Sequence, residues 1–249
     1  MRILFSLTFF CALLYSCCSL PVQSGIGSEQ IAVNGVSADR QMERAIRPYR
    51  RGAEQKLSQE LVYCEKPLMK ALPESELSNM MADAVLQASR IWASAEAGRP
   101  SAHFCLLNYG GIRSALPAGM ITLGNLYELM PFENELVLVR LSSADLKLLF
   151  EYLRDKKGGP LAGVRVRVDK DGIVQVYLGD DSFSFERDLW VATSDFLAGG
   201  GDGMYFLTKP LALMETRIKI RDAIGIYFSG LKAKGETLNP KLDGRMVIE

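Results

Sequence analysis

Histidine is nearly absent from this chain: His103 is the only imidazole in 249 residues. A zinc centre or two-metal hydrolytic site built on several imidazoles cannot be assembled from this chain alone. Net charge is absent too, with Lys+Arg 29 against Asp+Glu 29. That excludes the basic surplus that broad nucleic-acid affinity requires, and leaves room only for a local cationic pocket. There is no GxxxxGK[ST] phosphate loop, no GxGxxG after a strand, no internal repeat and no low-complexity tract. Apart from one N-terminal run, no apolar stretch approaches membrane-spanning length. What remains, 48% hydrophobic and 23% charged, is neither a disordered nor a fibrous composition.

The N-terminal run is MRILFSLTFFCALLYSCCSLP. Arg2 supplies a positive start, and the apolar stretch Ile3 to Tyr15 is too short to cross about 30 Å of hydrocarbon, so residues 1–16 read as a signal peptide. Leu14-Tyr15-Ser16-Cys17 resembles the bacterial lipoprotein cleavage box, with Cys17 the residue to be lipidated. Tyr15 is bulky for its position, and ordinary secretion is the alternative. The expectation is an exported chain, lipid-anchored in the bacterial envelope at the periplasm or outer membrane. Residues 17–38 read as a tether, with one short strand at Gln30 to Val33. Cys64 and Cys105 could pair in an oxidising compartment, but their apolar settings, VYC and HFCLL, favour two buried thiols.

From Asp39 onward the periodicities predict one domain, residues 39–249. Met42, Ile46, Tyr49, Ala53 and Leu57 mark the buried face of a helix that Pro48 should kink or divide, with Arg47, Arg50 and Arg51 on its solvated side. A second helix, capped by Ser75 or Ser78, carries Met80, Ala84, Ala88, Ile91 and Trp92, and stops before Gly98 and Pro100. Ala102 to Leu107 reads as a strand, as does Leu136 to Leu141. Ser142 and Asp145 have the spacing of a helix cap ahead of Leu146, Leu149, Phe150 and Leu153. Val164, Val166 and Val168 alternate with charged residues and return through Lys170-Asp171-Gly172 to Val174 and Val176, a hairpin. Leu189 to Thr193 is a further strand, and Ile220, Ile224, Tyr227, Phe228 and Leu231 form the inner face of a last helix. Interspersed helices and strands with one antiparallel pair predict a mixed α/β (α+β) fold, mixed sheets with flanking helices.

Two glycine-rich loops follow apolar strands. In LLNYGGIRS, Gly110 and Gly111 leave room beside the backbone, Asn108 can donate and accept, and Arg113 offers a fork of donors. In SDFLAGGGDG, glycines surround Asp202, whose oxygens suit vicinal hydroxyls. Phe132 and Phe196 are lone aromatics that could hold a flat heteroaromatic ring. The competing readings are locally satisfied turns for the loops and core packing for the two rings. His103 lies in an apolar strand and reads as a satisfied core residue. Asp169, Asp171, Asp180 and Asp181 fall in hairpin turns and read as solvated.

Taken together, NYGGIR, ITLGNLYELMPFENELV, SDFLAGGGDGMYF, SNMMADAV and the closing DGR resemble the C-terminal domain of 5′-nucleotidases, over roughly residues 60–249. The resemblance implies a mixed α/β domain that binds the nucleoside part of a nucleoside 5′-monophosphate. It places Phe132 and Phe196 on either side of the base, Asp202 on the ribose hydroxyls, and Asn108 and Arg113 on the sugar and neighbouring edge, with Gly110 and Gly111 between them. Two departures stand out: Ala71 to Glu76 lacks an arginine that relatives often carry, and Tyr109 replaces a small residue. The larger one is that full-length members begin with a metallophosphatase domain rich in Asp and His, and no DxH, GNH[DE] or GHxH segment occurs here. The expectation is a free-standing domain with no cofactor of its own, giving specificity to a separate metallophosphatase-domain protein that holds the divalent metals. The family is one of hydrolases, but whether this chain is itself an enzyme stays open. Non-catalytic nucleoside capture and a structural surface lipoprotein that kept the fold are the alternatives.

Overall fold

The computed structural model describes residues 37–249 and divides into Met1–Ile46 and Arg47–Glu249. The signal peptide, Cys17, the tether and the expected strand at Gln30 to Val33 lie outside the described residues. Of the first unit, only the chain from residue 37 into the opening of helix α1 (Arg40–Leu57) is described. Asp39 caps it, its Oδ1 accepting from the Gln41 and Met42 amides. The expectation of a buried stripe fails: no residue of α1 is buried, and Tyr49 is 80% exposed. Pro48 does not divide the helix either; losing one amide removes a single rung, which the turns on either side outlast. α1 gives way to strand β1 (Glu60–Cys64), where Leu61, Val62 and Cys64 are buried.

The remaining chain runs through α2 (Glu76–Ser94), β2 (Phe104–Leu106), β3 (Gly119–Thr122), α3 (Leu123–Leu129), β4 (Glu135–Leu141) and α4 (Ser143–Asp155). It continues as β5 (Leu161–Ala162), β6 (Arg165–Val168), β7 (Val174–Leu178), β8 (Asp181–Ser182), β9 (Leu189–Ser194) and α5 (Asp195–Ala198). It closes with β10 (Ala212–Lys219), α6 (Ile220–Ala233) and β11 (Met246–Ile248). The helix starts are where the polar residues put them. Ser75 and Ser78 form a reciprocal capping box on α2, so both candidate caps are used. Ser142 Oγ accepts from the Asp145 amide and opens α4, whose buried residues are Leu146, Leu149, Phe150 and Leu153.

Five strands form the central sheet in the order β10-β4-β9-β2-β5. All neighbours are antiparallel except β2 and β9, which run parallel. β4 shows why the sheet sits mid-molecule. Leu136 and Leu138 enter one hydrophobic cluster with α2 and α6, while Val137, Val139 and Leu141 enter another with α4. A strand buried on both faces reads as a continuous apolar run, which is what ELVLVRL is. A second sheet, β11-β6-β7-β8, contains the expected hairpin and packs its valines into the α4 side. A third pairs β1 with β3.

Arg245 ties the chain's close to α2. Its guanidinium is nearly buried and reaches Asp83 at 2.8 Å and Asp243 at 2.7 Å. Cys64 and Cys105 are separate buried thiols, and burial pushes the Cys105 thiol far up, leaving it inert. His103 Nδ1 accepts the Trp190 amide at 3.0 Å, and burial lowers its pKa, so the imidazole sits neutral in the fold.

Candidate functional site

Strand polarity collects three loops at one sheet edge. β2 and β9 are parallel neighbours, Phe104 opposite Val191, so the segments after them, Leu107 to Arg113 and Asp195 to Asp202, leave on the same side. β4 is antiparallel to β9 with Leu136 opposite Ser194, so the approach to β4, Met130 to Asn134, arrives there too. The crevice outside the carboxyl ends of parallel strands is where open α/β sheets bind ligands.

A cavity of about 220 Å³ opens at this edge, lined by Asn108, Gly110, Gly111, Arg113, Phe132, Asn134, Phe196 and Asp202. All seven residues singled out from the sequence, drawn from three separated segments, line this one cavity. Asn108 Nδ2 donates to Asp202 Oδ2 at 2.6 Å, joining two of the loops. The Arg113 amide donates to Leu129 O, at the end of α3 just before the third, at 2.9 Å. Arg113 Nη1 donates to Gly110 O at 3.3 Å, and its guanidinium lies 5.9 Å from the centre of the Phe132 ring. Neither phenylalanine is core: Phe132 is 39% and Phe196 46% exposed.

Two glycines leave room for side chains of the site. A Cβ on Gly111 would stand 2.7 Å from Asn108 Oδ1, and one on Gly201 would stand 2.4 Å from the Phe196 ring. Asp202 itself holds a left-handed backbone, φ 54°, and Tyr152 Oη donates to its carbonyl at 2.9 Å. That conformation costs a non-glycine residue of order 1–2 kcal/mol and persists only where its surroundings enforce it.

Sequence reasoning missed Asn134 and Tyr152. Asn134 sits two residues after Phe132 at the foot of β4, and that spacing was its only signal. Tyr152 lies half-buried on α4, and nothing local marks it as a prop for Asp202. Tyr109 lines a neighbouring cavity of about 310 Å³ that shares Asn108, Gly110 and Asp202 with the first. It is not among the residues that line the Phe132–Phe196 cavity. Lys70 Nζ lies 4.5 Å from its ring centre.

The residues do not fit a metal centre: among the described residues, no group of three His, Cys, Asp or Glu side chains could hold an ion. No described helix is long and apolar enough to cross a membrane.

A family model for the 5′-nucleotidase C-terminal domain matches residues 64–209. A 5′-nucleotidase of Vibrio parahaemolyticus is 27% identical over 122 residues, 46% of this chain and 21% of the relative. The human 5′-nucleotidase is 25% identical over 195 residues, 70% of this chain and 33% of the relative. The crystal structure of a 5′-nucleotidase precursor from Thermus thermophilus superposes with a TM-score of 0.68 at 24% identity, over 83% of this chain and 42% of that one. This chain thus spans less than half the length of these relatives.

Proposed function

Since the chain belongs to the 5′-nucleotidase C-terminal domain family, we propose that it binds the nucleoside moiety of a nucleoside 5′-monophosphate and lends specificity to phosphomonoester hydrolysis by a metallophosphatase-domain protein. The base stacks between Phe132 and Phe196, Asp202 accepts from the ribose hydroxyls, and Asn108 and Arg113 orient the sugar and the adjoining edge. The observation that carries this reading is the convergence of Asn108, Gly110, Gly111, Arg113, Phe132, Phe196 and Asp202 on one cavity. Ring stacking suits any base, because every base has a π-face.

The division of labour follows from what the pocket can and cannot supply. Stacking and hydroxyl contacts act on the bound nucleoside and lower the ground state; they do not activate water. The divalent metals, held by the other protein, supply that chemistry. At about 220 Å³ the cavity is smaller than the roughly 300 Å³ at which ligand sites begin, as expected of a surface completed by a second body. In the same reading the chain is exported and held at the envelope by lipid on Cys17.

Calorimetry tests the contacts. In the presence of the metallophosphatase-domain protein, adenosine should bind the wild type well and 2′,3′-dideoxyadenosine poorly. Asp202→Ala should scarcely distinguish the two. A charge-assisted hydrogen bond is worth about 1.5–3 kcal/mol, or roughly 10- to 150-fold. Absence of binding to a folded wild-type pair defeats the proposal.

A further inference from the structure

The segment carrying Phe132 is fastened from beneath by one buried guanidinium. Arg221, in the first turn of α6, is 3% exposed. Its Nη1 donates to the backbone oxygens of Met130 and Phe132, each at 3.4 Å, and its Nη2 pairs with Glu133. Its guanidinium carbon lies 3.9 Å from the centre of the Tyr127 ring. Every one of these partners belongs to residues 127–133, and Arg221 Nε has no partner at all.

A buried charge is tolerated only when it is paired and hydrogen-bonded. Here the compensation comes from the very segment that presents the aromatic ring, so that segment cannot shift without stranding the charge. The neighbouring contacts pull the same way. Lys219 also pairs with Glu133, and the Ile220 amide donates to Asn134 O at 2.9 Å. The register of β10 against β4 shifts between Glu215 and Lys219, where Arg217 adopts a φ of 63°. That irregularity precedes α6 and helps set Lys219 and Arg221 beneath the segment.

We infer that Arg221 is a positioning residue that fixes the Phe132 ring at the pocket; its consequence for ligand binding rests on the nucleoside reading above. Lysine at 221 keeps the charge but has no planar fork to reach two carbonyls and a carboxylate together. The test places 4-fluorophenylalanine at position 132 and records its fluorine resonance in the full mature chain. The wild type should give one narrow line. Arg221→Lys should broaden or split it, and Glu133→Gln, which removes the partner's charge but keeps an acceptor oxygen, should do the same to a lesser degree. With the metallophosphatase-domain protein present, adenosine should move the wild-type line. Arg221→Lys should weaken adenosine binding about tenfold, but less than about twofold when Phe132 is already alanine, the signature of coupled neighbours. An unchanged line in folded Arg221→Lys and Glu133→Gln overturns the inference. Should Arg221→Lys fail to fold, Glu133→Gln alone decides. A line that responds to Arg221→Lys but ignores adenosine with the metallophosphatase-domain protein present refutes the nucleoside reading and upholds the positioning role.

Discussion

Replacing Gly201 by alanine should separate ligand binding from stability. A Cβ at that position would lie 2.4, 2.5 and 2.6 Å from three atoms of the Phe196 ring, roughly 1 Å inside the 3.5–4.0 Å optimum of carbon contacts. The ring must swing away, and being 46% exposed it has space to do so. Gly201 is not among the glycines with positive φ, so alanine fits its backbone. Removing glycine's freedom in the unfolded chain even favours the folded state by about 0.4–1 kcal/mol. Melting temperature should therefore hold or rise slightly. Base stacking, worth about 1–3 kcal/mol, should be lost, weakening adenosine about 5- to 150-fold. Gly203→Ala is the control. Its Cβ meets open space, but its φ of +79° penalises alanine by about 1 kcal/mol, so it should melt earlier and bind normally. Parallel melting curves, and calorimetric titrations of both variants with the metallophosphatase-domain protein present, decide the matter. A Gly201→Ala protein that binds adenosine as tightly as the wild type would refute the role given to Phe196.

The isolated mature chain should release no phosphate from AMP, even with Mn²⁺, Co²⁺ or Zn²⁺ added; turnover that co-purifies with it and vanishes in Asp202→Asn would contradict the division of labour. Intact mass of the membrane fraction should find diacylglycerol on Cys17, and a soluble product beginning at Cys18 or later would mean plain secretion. Acid should loosen the Phe132 segment. Hydrogen bonds from Lys219 and Arg221 pull the Glu133 carboxyl from 4.5 down to about 2. A depressed carboxyl stabilises the fold above its unfolded value and loses that contribution as pH falls through the folded one. The stability profile should thus decline between about pH 4.5 and 2, and Glu133→Gln should flatten that limb; an unaltered profile would show that the pair contributes nothing.

How much of this was legible in the chain depended on the range of each signal. α4 could be read because cap, acidic first turn and apolar face fall within one short window, and the β6–β7 hairpin because its turn and alternation are contiguous. β1 and β3 could not be read. Their pairing joins Glu60 to Thr122 across the whole of α2 and β2, and neither strand alternates cleanly. β10 was hidden too, because its outer residues are mostly exposed and a register shift interrupts it. α1 erred the other way. Its periodicity is real, yet a stripe repeating every three or four residues states only that a face is apolar, and not that anything in the described chain covers it.

The site divides along the same line. Asn108, Phe132, Phe196 and Asp202 were legible because each sits in a short segment whose resemblance to a family is itself local. Asn134 was not, because its spacing from Phe132 was its only signal, and Tyr152 and Arg221 were not, because they act on those residues from elements far along the chain. Tyr152 reaches Asp202 across 50 positions and Arg221 reaches Phe132 across 89. The residues offered to a ligand are thus written in loops, and the residues that hold them in place are written in α4 and α6. A variant that spares every loop can therefore still empty the pocket. Such losses should be sought first at Tyr152 and Arg221, where one phenol oxygen and one buried guanidinium hold two of the three loops.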